Sequence, residues 1–294
     1  MNEQECLIHI NGRFLHEKIY TQDYPIIRKY KSNFEGIDVT RNKYTDDEVF
    51  YYSKYNSNGF RCDEFTNNHD GLHILFAGCS ETVGEGSIID DSWSKMLYDK
   101  ISLETKCSGF FSLGIGGGSW LDIVSAINQY IDNYGIPDYL FINFPGIRRF
   151  SEYIENAQKY DLPEDGVYRY AMHPKKQLPK TDNLKIIGTS TMDLAELYYI
   201  PFSAYIRLFE KFCIEKNIKL MWGTWCDELL KKIDRNLVVY NNFVRINPKS
   251  SELAKLYTDE NMSLEKIDGH LGTAHHYYWS SIFYNRYKEF VYEQ

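Results

Sequence analysis

Short apolar runs and amphipathic stretches alternate along the chain from residue 72 to the C-terminus. Four of the runs are almost continuously hydrophobic, which is typical of strands that are covered on both faces of a parallel sheet. These runs are LHILFA at 72–77, GFFSLG at 109–114, DYLFINF at 138–144 and IKLMWGT at 218–224. The pattern therefore predicts four buried, parallel strands.

The stretches between and after these runs carry apolar residues at spacings of three and four, which predicts amphipathic helices. The clearest apolar faces are those of Trp93, Met96, Leu97 and Ile101, of Trp120, Val124, Ile127 and Ile131, and of Trp279, Ile282, Phe283, Tyr287 and Phe290. Alternating strands and helices joined by right-handed crossovers form a three-layer α/β/α sandwich. We therefore expect an α/β fold with a parallel, flavodoxin-like sheet and a ligand site at the carboxyl ends of its strands.

Two segments do not follow this alternation. Residues 1–65 contain IHINGRF, an Asn-Gly turn signal between apolar runs, which predicts a small β-rich N-terminal extension. Residues 145–191 are rich in Lys, Pro, Asp and Tyr and form a connection far longer than a strand and a helix need. Long loops of this kind are usually functional. We interpret the segment as an insertion in a domain that spans residues 66–294.

Composition excludes several classes of function. The chain has 294 residues and is 43% hydrophobic, which is enough to fill a core, and its net charge of −8 opposes binding to a phosphate backbone. No apolar stretch approaches the roughly 20 residues of a membrane helix, and the N-terminus has no signal-peptide pattern. The six cysteines form no C-x-x-C pair, as expected for reduced thiols. We expect a soluble, cytoplasmic protein with no cofactor, no metal, and no nucleic-acid or membrane partner.

Residues capable of acyl-transfer chemistry follow three of the predicted elements. Ser80 comes directly after the first strand in FAGCSETVG, and the glycines at 116–118 follow the second strand. Glycine N–H groups face a ligand without hindrance from a Cβ atom, which is how an oxyanion hole is made. Asp268 and His270 precede the last predicted helix. A serine, a histidine and an acid in these places predict a nucleophile, its base and the residue that orients the base.

These motifs, in this order, resemble the SGNH hydrolases, also called GDSL-type esterases and lipases. Gly78-Cys79-Ser80 is similar to the first block of that family, with Cys79 where aspartate is usual. LGIGGGSWLD at 113–122, in the second strand and the loop after it, resembles the second block, in which Gly117 is the best match to the oxyanion glycine and Gly116 adjoins it. Asp268-Gly269-His270 resembles the last block, and NSNGFRCDEF at 56–65 is similar to a stretch that precedes the first strand in acyl-handling relatives.

The resemblance covers residue 56 to the C-terminus and departs from the family in two places. The third block should supply an oxyanion asparagine, but FPGIRRF has Ile147 at that position, so Arg148 or Arg149 would have to replace the donor or bind an anionic substrate group. Only Gly269 separates Asp268 from His270, so Asp268 either orients His270 or serves the loop. Divergent relatives in tailed bacteriophages share the Gly-Cys-Ser turn and a His-x-Gly-x-x-His stretch, which His270, Gly272 and His275 match.

The resemblance implies a serine esterase that hydrolyses an O-acyl ester, possible substrates being O-acetyl groups on a carbohydrate, in a host cytoplasm or a virion. Four alternatives stay open at this point. In the first, Ser80 is only a turn residue, and in the second, Cys79 is the nucleophile. In the third, His270, His275 and His276 form a metal site, although they lack the helical signature of a metalloprotease. The fourth is a non-catalytic virion or glycan-binding protein that retains the fold. The oligomeric state stays open as well.

Overall fold

The computed structural model describes residues 56–85, 88–147, 149–153, 167–171, 194–235, 240–260, 262 and 270–292, together with four strands before residue 52. Those strands are β1 (Gln4–Ile10), β2 (Arg13–Ile19), β3 (Arg28–Lys31) and β4 (Glu48–Tyr51). β1 pairs with β2 and β3 pairs with β4, both antiparallel. The predicted division of the chain at residue 65 stays a prediction.

The predicted α/β sandwich with a parallel sheet is confirmed. Its elements are β5 (Ile74–Gly78), α1 (Ser80–Val83), α2 (Trp93–Ser102), β6 (Phe111–Gly114), α3 (Trp120–Tyr134), β7 (Tyr139–Phe144), β8 (Arg149–Tyr153), β9 (Val167–Ala171), α4 (Leu194–Glu215), β10 (Lys219–Thr224), α5 (Asp227–Arg235), α6 (Ser250–Asp259) and α7 (Thr273–Tyr292). The four parallel strands lie in the order β10-β7-β5-β6. Numbered along the chain this is the flavodoxin-like order 4-3-1-2, in which the first and third strands are neighbours.

Side chains alternate between the two faces of the sheet and fill two separate cores. On one face, Leu75 and Ala77 of β5 pack with α3, α4 and α5. On the other face, Ile74 and Phe76 pack with α2 and α7. All four side chains are fully buried. Residues on both faces of each central strand are therefore buried, which explains the almost continuously apolar runs in the sequence.

The sheet order determines where a ligand binds. Ligands of doubly wound sheets bind outside the carboxyl ends of the strands, at the point where the strand order reverses. Here that point lies between β5 and β7, which are hydrogen-bonded neighbours. The chain leaves β5 toward Ser80 and leaves β7 toward the segment that begins at Pro145.

The segment from 145 to 191 contains one β-hairpin in its described part. β8 pairs antiparallel with β9, and Arg149 is the first residue of β8. In the described part of the chain, no helix combines the length and the apolar character needed to cross a bilayer.

Candidate active site

Ser80 is the first residue of the short helix α1, and the turn that holds it depends on Gly78. A Cβ atom at Gly78 would lie 2.0 Å from Thr82 Oγ1 and 2.8 Å from the Asn143 backbone oxygen, so only glycine allows the chain to turn so tightly. Ser80 is 3% exposed. Within the described residues, neither its N–H nor its hydroxyl has a hydrogen-bond partner. Ser80 therefore has a donor and a nucleophilic oxygen that no described residue engages.

The NSNGFR stretch braces the other end of α1. Asn56 Oδ1 accepts the Phe60 N–H at 2.9 Å and so closes a turn that passes through Gly59, whose φ is +84°. The next residue, Arg61, is only 5% exposed and donates from Nη1 to the carbonyl oxygens of Val83 and Gly84, at 3.2 and 2.8 Å. A cation at the carboxyl end of a helix pairs with carbonyls that have no partner inside the helix. This stretch therefore fixes the helix on which Ser80 lies.

The glycine turn after β6 lies beside Glu85. Gly117 is exposed and has a φ of +67°, and its neighbour Gly116 has no room for a side chain because a Cβ atom there would lie 2.4 Å from Glu85 Oε1. In the part of the chain that the structure describes, the N–H groups of Gly116 and Gly117 have no protein acceptor. Successive free N–H groups in such a turn can bind an anion.

His270 lies at the same corner and faces Glu85 rather than Ser80. Its Nε2 atom is 3.5 Å from Glu85 Oε2, and both side chains are about one-fifth exposed. No hydrogen bond joins His270 to the Ser80 hydroxyl among the described residues. Asp268, the predicted orienting acid, lies outside the described residues. Glu85 is thus an acid in contact with His270, and the sequence analysis did not identify it.

A buried pair, Glu81 and His276, connects the serine helix to the histidine loop. His276 is completely buried, and its Nδ1 atom accepts the Trp93 N–H at 3.1 Å, so a neutral ring carries its proton on Nε2. That nitrogen lies 3.3 Å from Glu81 Oε2, a close contact that is not well aligned for a hydrogen bond. Glu81 Oε1 accepts the Leu271 N–H at 3.3 Å. The residue after Ser80 is therefore bonded to the residue after His270.

Cys79 is unsuited to act as the nucleophile. It is fully buried, and burial raises the pKa of its thiol, an effect that the charge of Arg149 partly opposes. Its sulfur accepts the indole N–H of Trp225 at 3.4 Å. A buried, protonated thiol that is already hydrogen-bonded packs beneath the turn and leaves Ser80 as the candidate nucleophile.

The loop after β7 brings an arginine to the site but no asparagine. Ile147, which stands where the third block would have its oxyanion asparagine, is completely buried in the core. Arg149 is half-buried and places its guanidinium 5.3 Å from the centre of the Trp225 ring. Arg148 lies outside the described residues. Arg149 is thus the one of the two predicted arginines that can be placed, and it lies near Cys79.

Asn143 is a polar residue that the sequence analysis passed over. It lies in β7 opposite Gly78, is 1% exposed, and has no hydrogen bond to either side-chain polar atom among the described residues. The signal that could have identified Asn143 in the sequence is a single asparagine within an otherwise apolar strand. Buried amides without partners are uncommon and require an explanation.

The remaining histidine of the His-x-Gly-x-x-His stretch, His275, is partly buried, and its ring centre lies 6.0 Å from that of Trp279. Over the described ranges, no group of three or more His, Cys, Asp or Glu side chains is placed to hold a metal ion. Comparisons of the chain with models of protein families, with curated proteins and with solved structures found no match.

Proposed function

We propose that the protein is a serine esterase that hydrolyses an O-acyl ester, with Ser80 as nucleophile and His270 as general base. The observation that carries the proposal is the hydrogen bond from the Leu271 N–H to Glu81, because it holds the loop of His270 against the helix of Ser80. Ser80 follows β5 at the carboxyl edge of the sheet, and the turn after β6 at the same edge has two N–H groups, those of Gly116 and Gly117, without an acceptor among the described residues. A nucleophile, a base and anion-binding N–H groups are the parts that acyl transfer needs.

In the proposed reaction, Ser80 Oγ attacks the ester carbonyl while His270 takes its proton. The oxyanion that forms is stabilised by the Ser80 N–H and by the N–H groups of Gly116 and Gly117. His270 then gives the proton to the departing alkoxide, and a water molecule activated by the same ring releases the acyl group from Ser80. Either Glu85 or Asp268 orients the His270 ring. Because Glu85 lies beside Nε2, an orienting role for Glu85 leaves Nδ1 as the nitrogen that transfers the proton.

Ile147 cannot supply the oxyanion donor that related enzymes take from asparagine. Removal of one such donor typically costs about 2.7 to 4 kcal/mol of transition-state stabilisation. We therefore expect slow turnover unless another group compensates. Phenyl and nitrophenyl acetates, whose leaving groups are good, are the substrates with which to detect it, and acetylated sugars are the first carbohydrates to test.

A fluorophosphonate probe tests the assignment, because it labels only serines that a site activates. We expect labelling of the native chain, no labelling of Ser80→Ala, and strong reduction in His270→Ala. Ser102→Ala is the matched control, since Ser102 is exposed on α2 and its hydroxyl is bonded to its own helix. Ester turnover should fall at least about 10³-fold in Ser80→Ala.

The rival function is that of a non-catalytic virion or glycan-binding protein. It is favoured by one observation, namely that His270 faces Glu85 and makes no hydrogen bond to the Ser80 hydroxyl within the described chain. A folded protein that takes up no probe and hydrolyses no ester would support this rival.

A further inference from the structure

Arg149 is a half-buried cation that has no counterion among the residues that the structure describes. Its Nη1 atom is buried and has no hydrogen-bond partner, and among the described residues no carboxylate forms an ion pair with it. The chain has 41 acidic residues against 33 basic ones, so a counterion would have been easy to supply. A guanidinium that loses water without gaining a partner destabilises the fold. Such an arrangement is typical of a cation whose partner is a ligand.

The position of Arg149 is fixed by a chain of contacts that leads to the nucleophile. Its guanidinium packs against the ring of Trp225, the first residue after β10. The indole N–H of Trp225 donates to Cys79 Sγ at 3.4 Å, and Cys79 directly precedes Ser80. The charge of Arg149 acts on the Cys79 thiol and favours its ionised form. Arg149 therefore lies beside the site and not on a remote surface.

Glu85, the acid that contacts His270, lies on the other side of the site. Glu85 adjoins Gly116, which follows β6, whereas Arg149 follows β7 and contacts the residue after β10. In the order β10-β7-β5-β6, Ser80 lies between these two ends. A substrate bound at Ser80 thus meets a positive group at the β7 end and a negative group at the β6 end.

We propose that Arg149 binds a carboxylate of the substrate. The esters cleaved at Ser80 are therefore anionic, a conclusion that rests on the esterase function proposed above. A planar carboxylate matches the fork of guanidinium N–H groups, and the stack on Trp225 holds that fork in one orientation. An acyl ester of an acidic sugar has the required chemistry. The alternative role of Arg149, donation to the oxyanion, would act on every ester alike.

Matched ester pairs separate these two roles. The probes are 4-acetoxybenzoate and 3-acetoxybenzoate with their neutral methyl esters, and 4-nitrophenyl hemisuccinate with its methyl ester, which places the carboxylate on the acyl side. We expect the native protein to prefer at least one anion over its neutral partner by tenfold or more in kcat/KM. Arg149→Leu should lose that preference, because kcat/KM falls at least tenfold on the anion and much less on its neutral partner, and Arg149→Lys should keep part of the preference.

Arg286→Leu is the control, because Arg286 is a partly exposed arginine on α7 that pairs with Glu289. Equal rates on both members of every pair, or an equal loss on both in Arg149→Leu, would overturn the proposal. Thermal melts of each variant show whether it is folded, and Arg149→Lys replaces Arg149→Leu if the latter is not.

A binding measurement keeps this test separate from the esterase assignment. Ser80→Ala is titrated calorimetrically with the same acids and methyl esters, with and without Arg149→Leu. Binding of an acid at least tenfold tighter than its methyl ester, abolished by Arg149→Leu, supports the carboxylate site even if the native protein hydrolyses nothing. Equal binding, or no binding of any acid, contradicts it even if neutral esters are hydrolysed.

Discussion

The buried pair of Glu81 and His276 allows the coupling between the serine helix and the histidine loop to be measured. His276→Leu keeps an apolar side chain of comparable size but removes the acceptor of the Trp93 N–H and the ring that faces Glu81. A buried N–H without a partner costs about 1 to 3 kcal/mol, and the loss of a polar contact with a charged carboxylate costs about 1.5 to 3 kcal/mol. Because Glu81 keeps its bond to the Leu271 N–H, we expect a total loss of about 3 to 5 kcal/mol in the free energy of unfolding.

Urea unfolding, followed by tryptophan fluorescence and by far-UV circular dichroism, measures this loss. Glu81→Gln removes the charge of the pair. The double variant, His276→Leu with Glu81→Gln, should therefore lose less free energy of unfolding than the two single variants lose together, by about 1 kcal/mol or more. Tyr292→Leu is the control, since Tyr292 lies at the end of α7 and is 72% exposed. A loss below about 1 kcal/mol in His276→Leu, or strictly additive losses, would refute the reasoning.

Three further predictions concern the acid that orients His270, the response to pH and the buried amide. If Glu85 orients His270 at Nε2, Glu85→Gln should lower ester turnover at least tenfold with little change in stability. If Asp268 is the orienting acid, Asp268→Asn should have this effect instead. An unchanged rate in either variant shows that the residue does not orient His270. Burial and the neighbouring His69 ring lower the pKa of His73 to about 4 from 6.5, so the unfolded chain binds the proton more readily. Stability should therefore be complete above pH 6.5 and fall by up to about 3 kcal/mol as the pH drops toward 4, a slope that urea midpoints would show in the native chain and not in His73→Gln. Asn143→Leu should raise the melting temperature or leave it unchanged, because it removes a buried amide without partners; a clear loss of stability would mean that the amide is hydrogen-bonded in solution.

The sheet could be predicted from the sequence because its strands are buried on both faces. Each predicted run matches an observed strand to within two residues at either end, as for 138–144 and Tyr139–Phe144. The helices α2, α3 and α7 were found from apolar residues at spacings of three and four. Helix α4 has no such clear stripe, since it is apolar over much of its surface and contains Pro201. Periodicity identifies elements that have one buried face, and it is weak where nearly all faces are apolar.

The candidate site could be predicted only in part. Ser80, Gly117 and His270 each stand next to a strand or helix end, so their order along the chain was enough to propose them. Glu81 meets Leu271 across 190 positions, and no local spacing encodes such a contact. The same holds for Trp225, which reaches Cys79 across 146 positions. The residues that we propose as nucleophile and base could be named from the sequence, whereas the contacts that hold their elements together depend on how the strands pair.

The place of Glu85 has a consequence for the proposed reaction. Its carboxylate lies against Gly116, where it would repel the oxyanion that the turn is expected to bind. It also faces His270, which becomes a cation when it takes the serine proton. Negative charge on the oxyanion and positive charge on His270 therefore form together, and the new ion pair neutralises Glu85 at the moment when its repulsion would matter most. A second anionic group on the substrate has no such compensation at the β6 end, so it binds more favourably toward Arg149, at the opposite end of the site.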